Sequence, residues 1–600
     1  MGVPRKLKIE LGVLAAYFGL TVAVTYPLIL KLGTGIYGRF FDTDLRGSMW
    51  SIWWLRYARA HHMDYFTCPL IAAPFGTSFH GMPLFSILYA FGRASLSVMT
   101  PEVYMNVYTI LFLTLSGYGA WLIARREVGD PYASFTAGVI FAFSPYHLNK
   151  LWEFGFIYLG VWLTLYTAAL LALRDKPCLA RTLLAAAAFS LVLSFNAYYA
   201  LFGAVLTAAL CVAWVVAALQ EGRGFSAQGR FLLCVCAVFA GACLINAPSL
   251  GSIFSRFLKH SAAPSDADAM FIRPIKYLFT QSARPLSYLL PASTHPVFGA
   301  FTRRFFGTWW YGRGPIEQTL YLGWIPLFFA WRGRRQQTSL PPEERRRNNA
   351  WLGAAWTAFF FSLPPYLNLG LFKVPMPSGL VYRVLPMFRA YARFGIIVIL
   401  CVSVLAAFGL RAALGRLRTK KAKLFFTSAV LLGIMFEFTN VPPFRVTDIT
   451  GVPAVYAWLK EQPAATLVAE YPMTRGGGGE AFTNQNYLFY QTKHGRRLVN
   501  GAAPGTPAGR VKEKILIVDD PRTPAVLAAL GTRYVLLHRD TYERNGSAET
   551  VAVAGQIPDL TRVPGYAFIR RIDDVDIYGV TAAAAPWTEV LGPLATSEVP

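Results

Sequence analysis

Charged residues are scarce in this sequence, and acidic side chains are the rarer kind. Charged residues make up 15% of the chain, whereas soluble domains carry about 25%. Lys and Arg number 57 against 32 Asp and Glu, and hydrophobic residues reach 54%. With a mean hydropathy of +0.39, this composition excludes an ordinary soluble globular protein and indicates a membrane protein.

Cysteines that could pair are also lacking. Of the seven, Cys178 falls in a basic loop and only Cys68 lies in a segment that we expect outside the membrane. The other five stand in apolar runs: Cys211, Cys234, Cys236, Cys243 and Cys401. A disulfide framework is therefore excluded.

The net charge of +25 does not indicate nucleic-acid binding. Many of the basic residues lie in short segments between apolar runs, which is how membrane proteins fix their orientation. A small-residue cleavage site is also missing after the first apolar run, which ends in TYPLILKLGTG. We therefore expect this run to be a retained first span and not a removed signal peptide.

Apolar runs predict about eleven transmembrane helices, since a span needs about 20 mostly apolar residues. The predicted spans are 10–30, 103–124, 132–146, 155–173, 181–198, 199–219, 229–247, 319–331, 350–366, 394–411 and 424–440. A further apolar helix at 83–99 carries Arg93 and is interpreted as interfacial or re-entrant.

The basic clusters orient these spans. The densest two, at 331–347 and 411–423, fall inside when the N-terminus is cytoplasmic, as the positive-inside bias requires. The large outer segments are then 31–82, 248–318 and 367–393. Residues 1–440 form the predicted membrane domain. In residues 441–600, the helix-like segments GVPAVYAWLKEQ and RTPAVLAALG alternate with the strand-like segments ATLVAEYPM and RYVLLHRD, which predicts a small α/β domain outside the membrane.

An acidic pair stands just beyond the first apolar run, in RFFDTDLRGSMWSIWWLRYARAHH (39–62). Asp42 and Asp44 are one residue apart, so a turn can present both carboxylates to one ligand. Arg46 follows and offers donors that suit a carboxylate or a phosphate. The next stretch, WSIWWLRYAR, has an aromatic face typical of the membrane interface. Together these features predict an acidic site near the lipid headgroups.

Two other outer segments carry candidate binding residues. The short loop SPYHLNKLWEFG (144–155) holds His147, Lys150 and Glu153 near the same surface. The segment 248–318 is basic on the side where the orientation bias disfavours basic residues. Arg and Lys bind phosphate well, and a lipid phosphate is the anion available there. We expect phosphate contacts from Arg256, Lys259, Arg273, Lys276 and Arg284.

Simpler interpretations compete with each of these sites. The acidic pair can be a solvated loop, the 144–155 residues ordinary loop polarity, and the basic segment unspecific headgroup contact. In FKVPMPSGLVYRVLPMFRAYARFG (372–395), we interpret Arg383, Arg389 and Arg393 as anchors of an amphipathic outer helix.

The whole layout resembles the GT-C superfamily of membrane glycosyltransferases, and most closely its uncharacterised bacterial members. Five stretches carry this resemblance: FFDTDLRGSMWSIWWLRYA, VIFAFSPYHLNKLWEFG, YRVLPMFRAYARFG, NYLFYQTKHGRRLVNG and GTRYVLLHRDTY. Members have many spans, an acidic residue in the first outer loop and a large mobile outer loop late in the bundle. The resemblance implies the plasma membrane of a bacterium.

The resemblance also implies an activity. A hexose or pentose would pass, with inversion, from a polyprenyl-phosphate donor to a glycan, lipid or protein acceptor of the envelope. The first-loop acid of the family matches Asp44, with Asp42 as a second match, in the role of general base. Several relatives hold a metal through an acidic pair in the second outer loop, where this chain has only Glu153. The resemblance therefore allows a divalent cation, Mg²⁺ or Mn²⁺, at Asp42, Asp44 and Glu153.

Two other function classes remain open at this point. A transporter of lipid-linked sugars would also need many spans, although it usually carries charged or broken spans near the midplane. A non-catalytic protein of envelope-polysaccharide assembly or export would depend more on its outer domain than on Asp44.

Overall fold

A computed structural model describes most of the chain. The described residues are 5–40, 43–80, 82–221, 225–262, 273–312, 315–336, 338, 340–368, 370, 372–440, 446–474, 480–503, 506–544 and 557–592. Asp42 lies outside them.

The first three quarters of the chain form a helical bundle. Its α-helices are α1 (Arg5–Val24), α2 (Leu45–Ala60), α3 (Pro83–Ser95), α4 (Pro101–Glu127), α5 (Pro131–Ala142), α6 (Pro145–Phe154), α7 (Val161–Asp175), α8 (Leu179–Phe195), α9 (Ala197–Gln220), α10 (Phe225–Ile245), α11 (Ala247–Ala262), α12 (Lys276–Thr280), α13 (Gly299–Arg303), α14 (Pro315–Gln318), α15 (Trp324–Arg335), α16 (Pro342–Ser362), α17 (Pro377–Val384), α18 (Gly395–Leu414) and α19 (Lys420–Glu437).

Local sequence signals explain where several of these helices begin. A polar cap followed by proline starts three consecutive bundle helices: Thr100 before α4, Asp130 before α5 and Ser144 before α6. Each cap side chain accepts a hydrogen bond from a backbone N–H in the first turn of its helix. This satisfies a donor that the helix itself cannot, and proline is favoured at the first helical position.

Five helices in the described part of the chain are long and apolar enough to cross a membrane. They cover Leu7–Val24, Pro101–Glu127, Ala197–Gln220, Gln228–Ile245 and Tyr391–Leu414. A sixth span results if Pro131–Tyr158 and Val161–Asp175, which meet at 75°, cross as one bent pair. The helices thus support a multi-pass membrane protein. The count of eleven remains a prediction, because α8 and α15 are short and α16 and α19 carry charges in their first turns.

Helix α18 forms the centre of the bundle and is buried along nearly all of its length. Helix α15 crosses it where Gly333 meets Gly409. A Cβ added at Gly409 would lie 1.8 Å from the carbonyl oxygen of Phe329, so only glycine permits this approach. Small residues at helix crossings are typical of membrane proteins, where close packing stabilises association.

The C-terminal part forms the predicted α/β domain. Its helices are α20 (Ala454–Glu461), α21 (Glu480–His494), α22 (Pro507–Lys514), α23 (Thr523–Ala529), α24 (Arg539–Arg544) and α25 (Trp587–Leu591). The strands of the molecule are β1 (Gly35–Tyr37), β2 (Thr67–Cys68), β3 (Thr77–Ser78), β4 (Tyr366–Asn368), β5 (Lys373–Pro375), β6 (Val446–Asp448), β7 (Leu467–Tyr471), β8 (Arg497–Leu498), β9 (Tyr534–His538), β10 (Tyr566–Ile572) and β11 (Val575–Val580).

The main sheet has the order β10-β11-β9-β7-β8, in which β8, β7 and β9 are parallel and the remaining pairs are antiparallel. Strands β7 and β9 and helices α20 and α23 lie where the sequence predicts them. Both strands are buried throughout, as their continuous apolar runs indicate.

The segment 31–82, which carries Asp44, contacts this α/β domain through backbone and side-chain hydrogen bonds. Strand β1 pairs antiparallel with β6. Further along, the N–H of Ala72 donates to Asn500 O at 2.8 Å. The rings of Trp50 and Trp54 are buried within the protein, bonded to Gln491 and to Tyr65 O. The expectation that the WSIWWLRYAR stretch lies along the membrane interface is therefore wrong for these two tryptophans.

Candidate active site

Asp44 lines a pocket of about 290 Å³ between the bundle and the segment 31–82. Three chain segments form its walls: Asp44 and Ser48 at the start of α2, Phe154, Ile157 and Tyr158 after α6, and Phe195, Asn196, Ala197 and Tyr198 at the junction of α8 and α9. One carboxylate thus faces mostly apolar and aromatic walls with a few hydroxyl and amide groups. Such a composition is typical of small-molecule sites.

The backbone at Asp44 is held by local hydrogen bonds. Asp44 immediately precedes α2, and its carbonyl oxygen accepts from the N–H of Ser48 at 3.1 Å. The hydroxyl of Thr43 donates to the carbonyl oxygens of Arg39 and Phe40 at 3.1 and 3.2 Å. The half-buried Asp44 side chain accepts a hydrogen bond from Nε2 of Gln485, at 2.9 Å from Oδ1. A turn and a helix start therefore fix the carboxylate at the pocket.

Arg46 lies away from the pocket lining. Its side chain is buried, with Cζ 5.7 Å from the ring centroid of Phe40. It packs inside the first outer segment, two residues beyond Asp44. The sequence interpretation of Arg46 as a ligand-binding residue stays a prediction that this placement does not favour.

A buried ion cluster lies directly behind the pocket. Glu317 pairs with Lys150 at 2.9 Å and with Nη2 of Arg393 at 2.6 Å, while Nε of Arg393 donates to Glu317 at 3.0 Å. Two cations therefore contact the one carboxylate of Glu317. Burial alone would raise the pKa of Glu317, but Arg393 and Lys150 outweigh it and hold this pKa at about 2.

Arg393 links this cluster to the pocket wall. Its Nη1 donates to the hydroxyl of Tyr158 at 2.8 Å. Its Cζ lies 4.8 Å from the ring centroid of Tyr158 and 5.1 Å from that of Tyr198. Both tyrosines line the pocket. The positive charge therefore stands one aromatic layer behind the pocket surface, where the surrounding protein weakens its screening.

The sequence predicts substrate binding by three residues of the 144–155 segment, and one of them, Lys150, belongs to this cluster. The Nζ of Lys150 also donates to Ile316 O at 3.0 Å. The carboxylate of Glu153 is buried and interacts electrostatically with Lys150 and with Asp44. His147 is fully buried, with Nδ1 2.7 Å from Phe141 O and Nε2 3.1 Å from the N–H of Gly160. Both of its ring nitrogens are occupied by backbone groups, so the structure gives it a packing position and does not support substrate binding.

The predicted phosphate-binding residues of 248–318 are scattered. Arg273 lies near Tyr198 and Arg389. Lys276 is exposed, with Nζ 5.7 Å from the ring of Tyr277. The guanidinium of Arg284 donates to Phe279 O at 2.9 Å. The side chains of Arg256 and Lys259 lie outside the described part of the chain. Only Arg273 among the described three is thereby brought to the pocket wall.

Three site residues escape sequence reasoning: Glu317, Arg389 and Arg393. The interpretation of Arg393 as an anchor of an outer helix is wrong, since its side chain is buried in the ion cluster. Glu317 is one of the few acids in the basic segment 248–318, which was a usable signal. Arg389, interpreted as an anchor, donates its N–H to the hydroxyl of Tyr198 at 3.2 Å and places Cζ 5.4 Å from the ring of Tyr277. The stretch that holds it, YRVLPMFRAYARFG, is one of those that carry the family resemblance.

Comparison of the fold with solved structures is informative where sequence comparison is not. No protein-family model and no curated protein matches the sequence. The arabinofuranosyltransferase AftD from Mycobacteria matches with a TM-score of 0.56 and 14% identity, over 98% of this chain and 40% of that chain. The apo oligosaccharyltransferase of Archaeoglobus fulgidus matches with a TM-score of 0.51 and 12% identity, over 92% of this chain and 72% of that chain.

A third structure adds a lipid. The archaeal oligosaccharyltransferase AglB from Archaeoglobus fulgidus, in complex with an inhibitory peptide and a dolichol-phosphate, matches with a TM-score of 0.50 and 13% identity. The match covers 96% of this chain and 74% of that chain. This chain has the GT-C fold. The fold expected from the sequence resemblance is thereby confirmed, and identities this low carry the fold alone.

A metal site is not assembled on this GT-C fold within the described residues. There, no group of three or more His, Cys, Asp and Glu side chains is arranged to hold a metal ion. Of the expected ligands, Asp42 is not described, and Asp44 and Glu153 are two carboxylates without a third. We therefore assign no step to a metal.

Proposed function

We propose that this chain transfers a sugar from a polyprenyl-phosphate donor to an envelope acceptor, with inversion at the anomeric carbon. One observation carries the proposal: Asp44 and the Arg393 cluster flank one pocket of a GT-C fold. A carboxylate suits an acceptor hydroxyl, and a positive wall suits a phosphate leaving group. The proposal does not specify the sugar or the acceptor.

In the proposed reaction, Asp44 orients the acceptor hydroxyl and takes its proton. The hydroxyl oxygen forms the new bond to the anomeric carbon while the bond from that carbon to the phosphate oxygen breaks. The electron pair of the broken bond leaves with the polyprenyl phosphate. General-base assistance of this kind contributes about 10²–10⁴-fold to a rate.

The leaving phosphate needs positive charge and no proton. Lys150 and Arg393 supply two cations behind the aromatic wall, Arg273 lies near Tyr198, and the guanidinium of Arg389 lies over the ring of Tyr277. Charges fixed in advance in a shielded site stabilise developing negative charge without reorganisation. The pocket volume of about 290 Å³ is near the lower limit, about 300 Å³, of small-molecule sites. This favours a single sugar ring.

The proposed location follows from the charge pattern. Basic residues concentrate at 331–347 and 411–423, which favours a cytoplasmic position for those loops. The pocket and the α/β domain then lie outside the plasma membrane. Labelling from outside intact cells of a cysteine introduced at Arg562, whose side chain is 86% exposed, is the corresponding measurement.

Replacement of the carboxylate tests the function. In cells that lack the protein, we compare the lipid-linked glycans after complementation with the wild type, Asp44→Asn or Asp64→Asn. Asp64 is an exposed acid of the same outer segment, hydrogen-bonded within its own turn, and serves as the matched control. We expect Asp44→Asn to accumulate the donor and to lose one sugar from the product, while Asp64→Asn restores both.

Restoration by a normally folded Asp44→Asn protein would remove the assignment. It would favour a role in assembly or transport, in which this carboxylate has no chemical task.

A further inference from the structure

Helix α21 of the α/β domain reaches across to the helix that follows Asp44. Nε2 of Gln485 donates to Oδ1 of Asp44 at 2.9 Å. Two turns further on, the side chain of Gln491 accepts from Trp50 Nε1 at 2.7 Å and donates to Leu70 O at 2.7 Å. The two helices are in direct contact here, since a Cβ at Gly47 would lie at the ordinary van der Waals distance of 3.5 Å from Cδ of Gln485.

We propose that Gln485 is a positioning residue that aims the Asp44 carboxylate into the pocket. The inference rests on the proposed function of Asp44. Within the described part of the chain, Gln485 makes the side-chain hydrogen bond of Asp44 and fixes Oδ1. Oδ2 then is the oxygen that takes the acceptor proton. Gln485 itself does not line the pocket, so it acts through Asp44.

The two glutamines, Gln485 and Gln491, have different roles in the contact between α21 and α2. Gln491 is fully buried and satisfies the buried indole N–H of Trp50, so its loss leaves an unpaired buried donor and destabilises the fold. Gln485 and Asp44 are only half-buried, so water can replace their bond at small cost. The contribution of Gln485 is therefore geometric. A displacement of about 1 Å at a reacting group can lower a rate about 10²-fold.

The first experiment compares alanine variants of the two glutamines in purified, membrane-reconstituted protein, with polyprenyl-phosphate monosaccharides as donors. We expect Gln485→Ala to lower kcat about 10- to 100-fold, with the donor KM and the melting temperature nearly unchanged. Gln491→Ala should lower the melting temperature and leave kcat per folded molecule unchanged. Gln485→His, which keeps a donor of similar reach, should recover part of the rate. A normal kcat in Gln485→Ala would overturn the inference.

A double-mutant cycle separates this inference from the proposed function. If Gln485 acts through Asp44, Asp44→Asn with Gln485→Ala should be no slower than Asp44→Asn alone. Multiplied losses would overturn the positioning role. Normal transfer by Asp44→Asn would instead overturn the proposed function, whereas an inactive Asp44→Asn beside a normal Gln485→Ala refutes only the positioning role.

Discussion

The two ends of the helical bundle both bury carboxylates, but they balance them differently. At one end, Glu127 pairs with Arg174 at 2.9 Å and accepts from the indole N–H of Trp351 at 3.0 Å. At the other end, Glu317 faces both Lys150 and Arg393 beside the Asp44 pocket. In the first cluster, the Glu127 carboxylate is bonded to a cation and to an indole N–H of the protein itself. The second cluster places two cations on one carboxylate next to a cavity.

This difference shows how residues of the same types serve stability in one place and binding in another. The buried Glu127 carboxylate has Arg174 as its cation and the indole N–H of Trp351 as a hydrogen-bond donor, so it needs no ligand. Arg393 of the second cluster also contacts the pocket-wall residue Tyr158, so an anion in the pocket would lie close to a buried cation whose screening is weak. The Glu127 end therefore has the features of a structural contact between helices, whereas the Asp44 end has those that we propose for a binding site.

Removal of the cation that pairs with Glu127 should have the largest effect on stability. Arg174→Met leaves the fully buried Glu127 without its cation, and loss of one member of a buried pair costs about 3–5 kcal/mol. We expect a much lower melting temperature but an unchanged transfer rate per folded molecule. Arg126→Met is the control, since its ion pair with Asp175 is about one-third exposed on each side, and such pairs contribute about 0–1 kcal/mol. If the transfer rate per folded molecule of Arg174→Met falls together with its melting temperature, the contrast between the two ends of the bundle is contradicted.

Removal of the Glu317 carboxylate should change stability in a pH-dependent way. The pKa of Glu317 is about 2 in the folded protein against an ordinary value of 4.5. A lowered folded-state pKa means that Glu317 stabilises the fold above pH 4.5 and that this contribution is lost as the pH falls towards 2. We expect Glu317→Gln to lower the melting temperature near pH 7 and to flatten its decline over this acidic window. Equal declines in the variant and the wild type would refute the pairing.

Sequence analysis captures what depends on short stretches of chain. The apolar run of α18 and the buried strands β7 and β9 follow from the length and composition of apolar runs. Asp44 is found because it stands at the end of an apolar run, which tethers it near the bundle. The count of spans is less certain because bends and first-turn charges interrupt apolar runs.

The rest of the site depends on contacts between distant residues. Glu317 meets Arg393 from 76 positions away, and Gln485 meets Asp44 from 441 positions away. No local pattern records these meetings. His147 shows the opposite error: its residue type indicates chemistry, but both nitrogens serve backbone groups, which only the packing reveals.

The smallest effect is expected at Arg389, where structure and sequence disagree. The sequence favours anchoring for Arg389 and phosphate binding for Lys276. The structure instead brings the backbone N–H of Arg389 to the pocket-wall residue Tyr198 and its guanidinium to the ring of Tyr277, and it leaves Lys276 exposed. Because Arg389 is only partly buried, we expect its charge to contribute about 1 kcal/mol, below the range for fully buried charged hydrogen bonds. Arg389→Gln should then raise the donor KM about fivefold, with kcat unchanged, as for a group that binds ground state and transition state equally.

Lys373→Gln is the control, since Lys373 is an exposed cation of the same segment, 367–393, whose Nζ lies 5.3 Å from the ring of Tyr366. A larger rise in Lys276→Gln than in Arg389→Gln would restore the sequence-based assignment, and equal values in Arg389→Gln and Lys373→Gln would reduce Arg389 to an anchor.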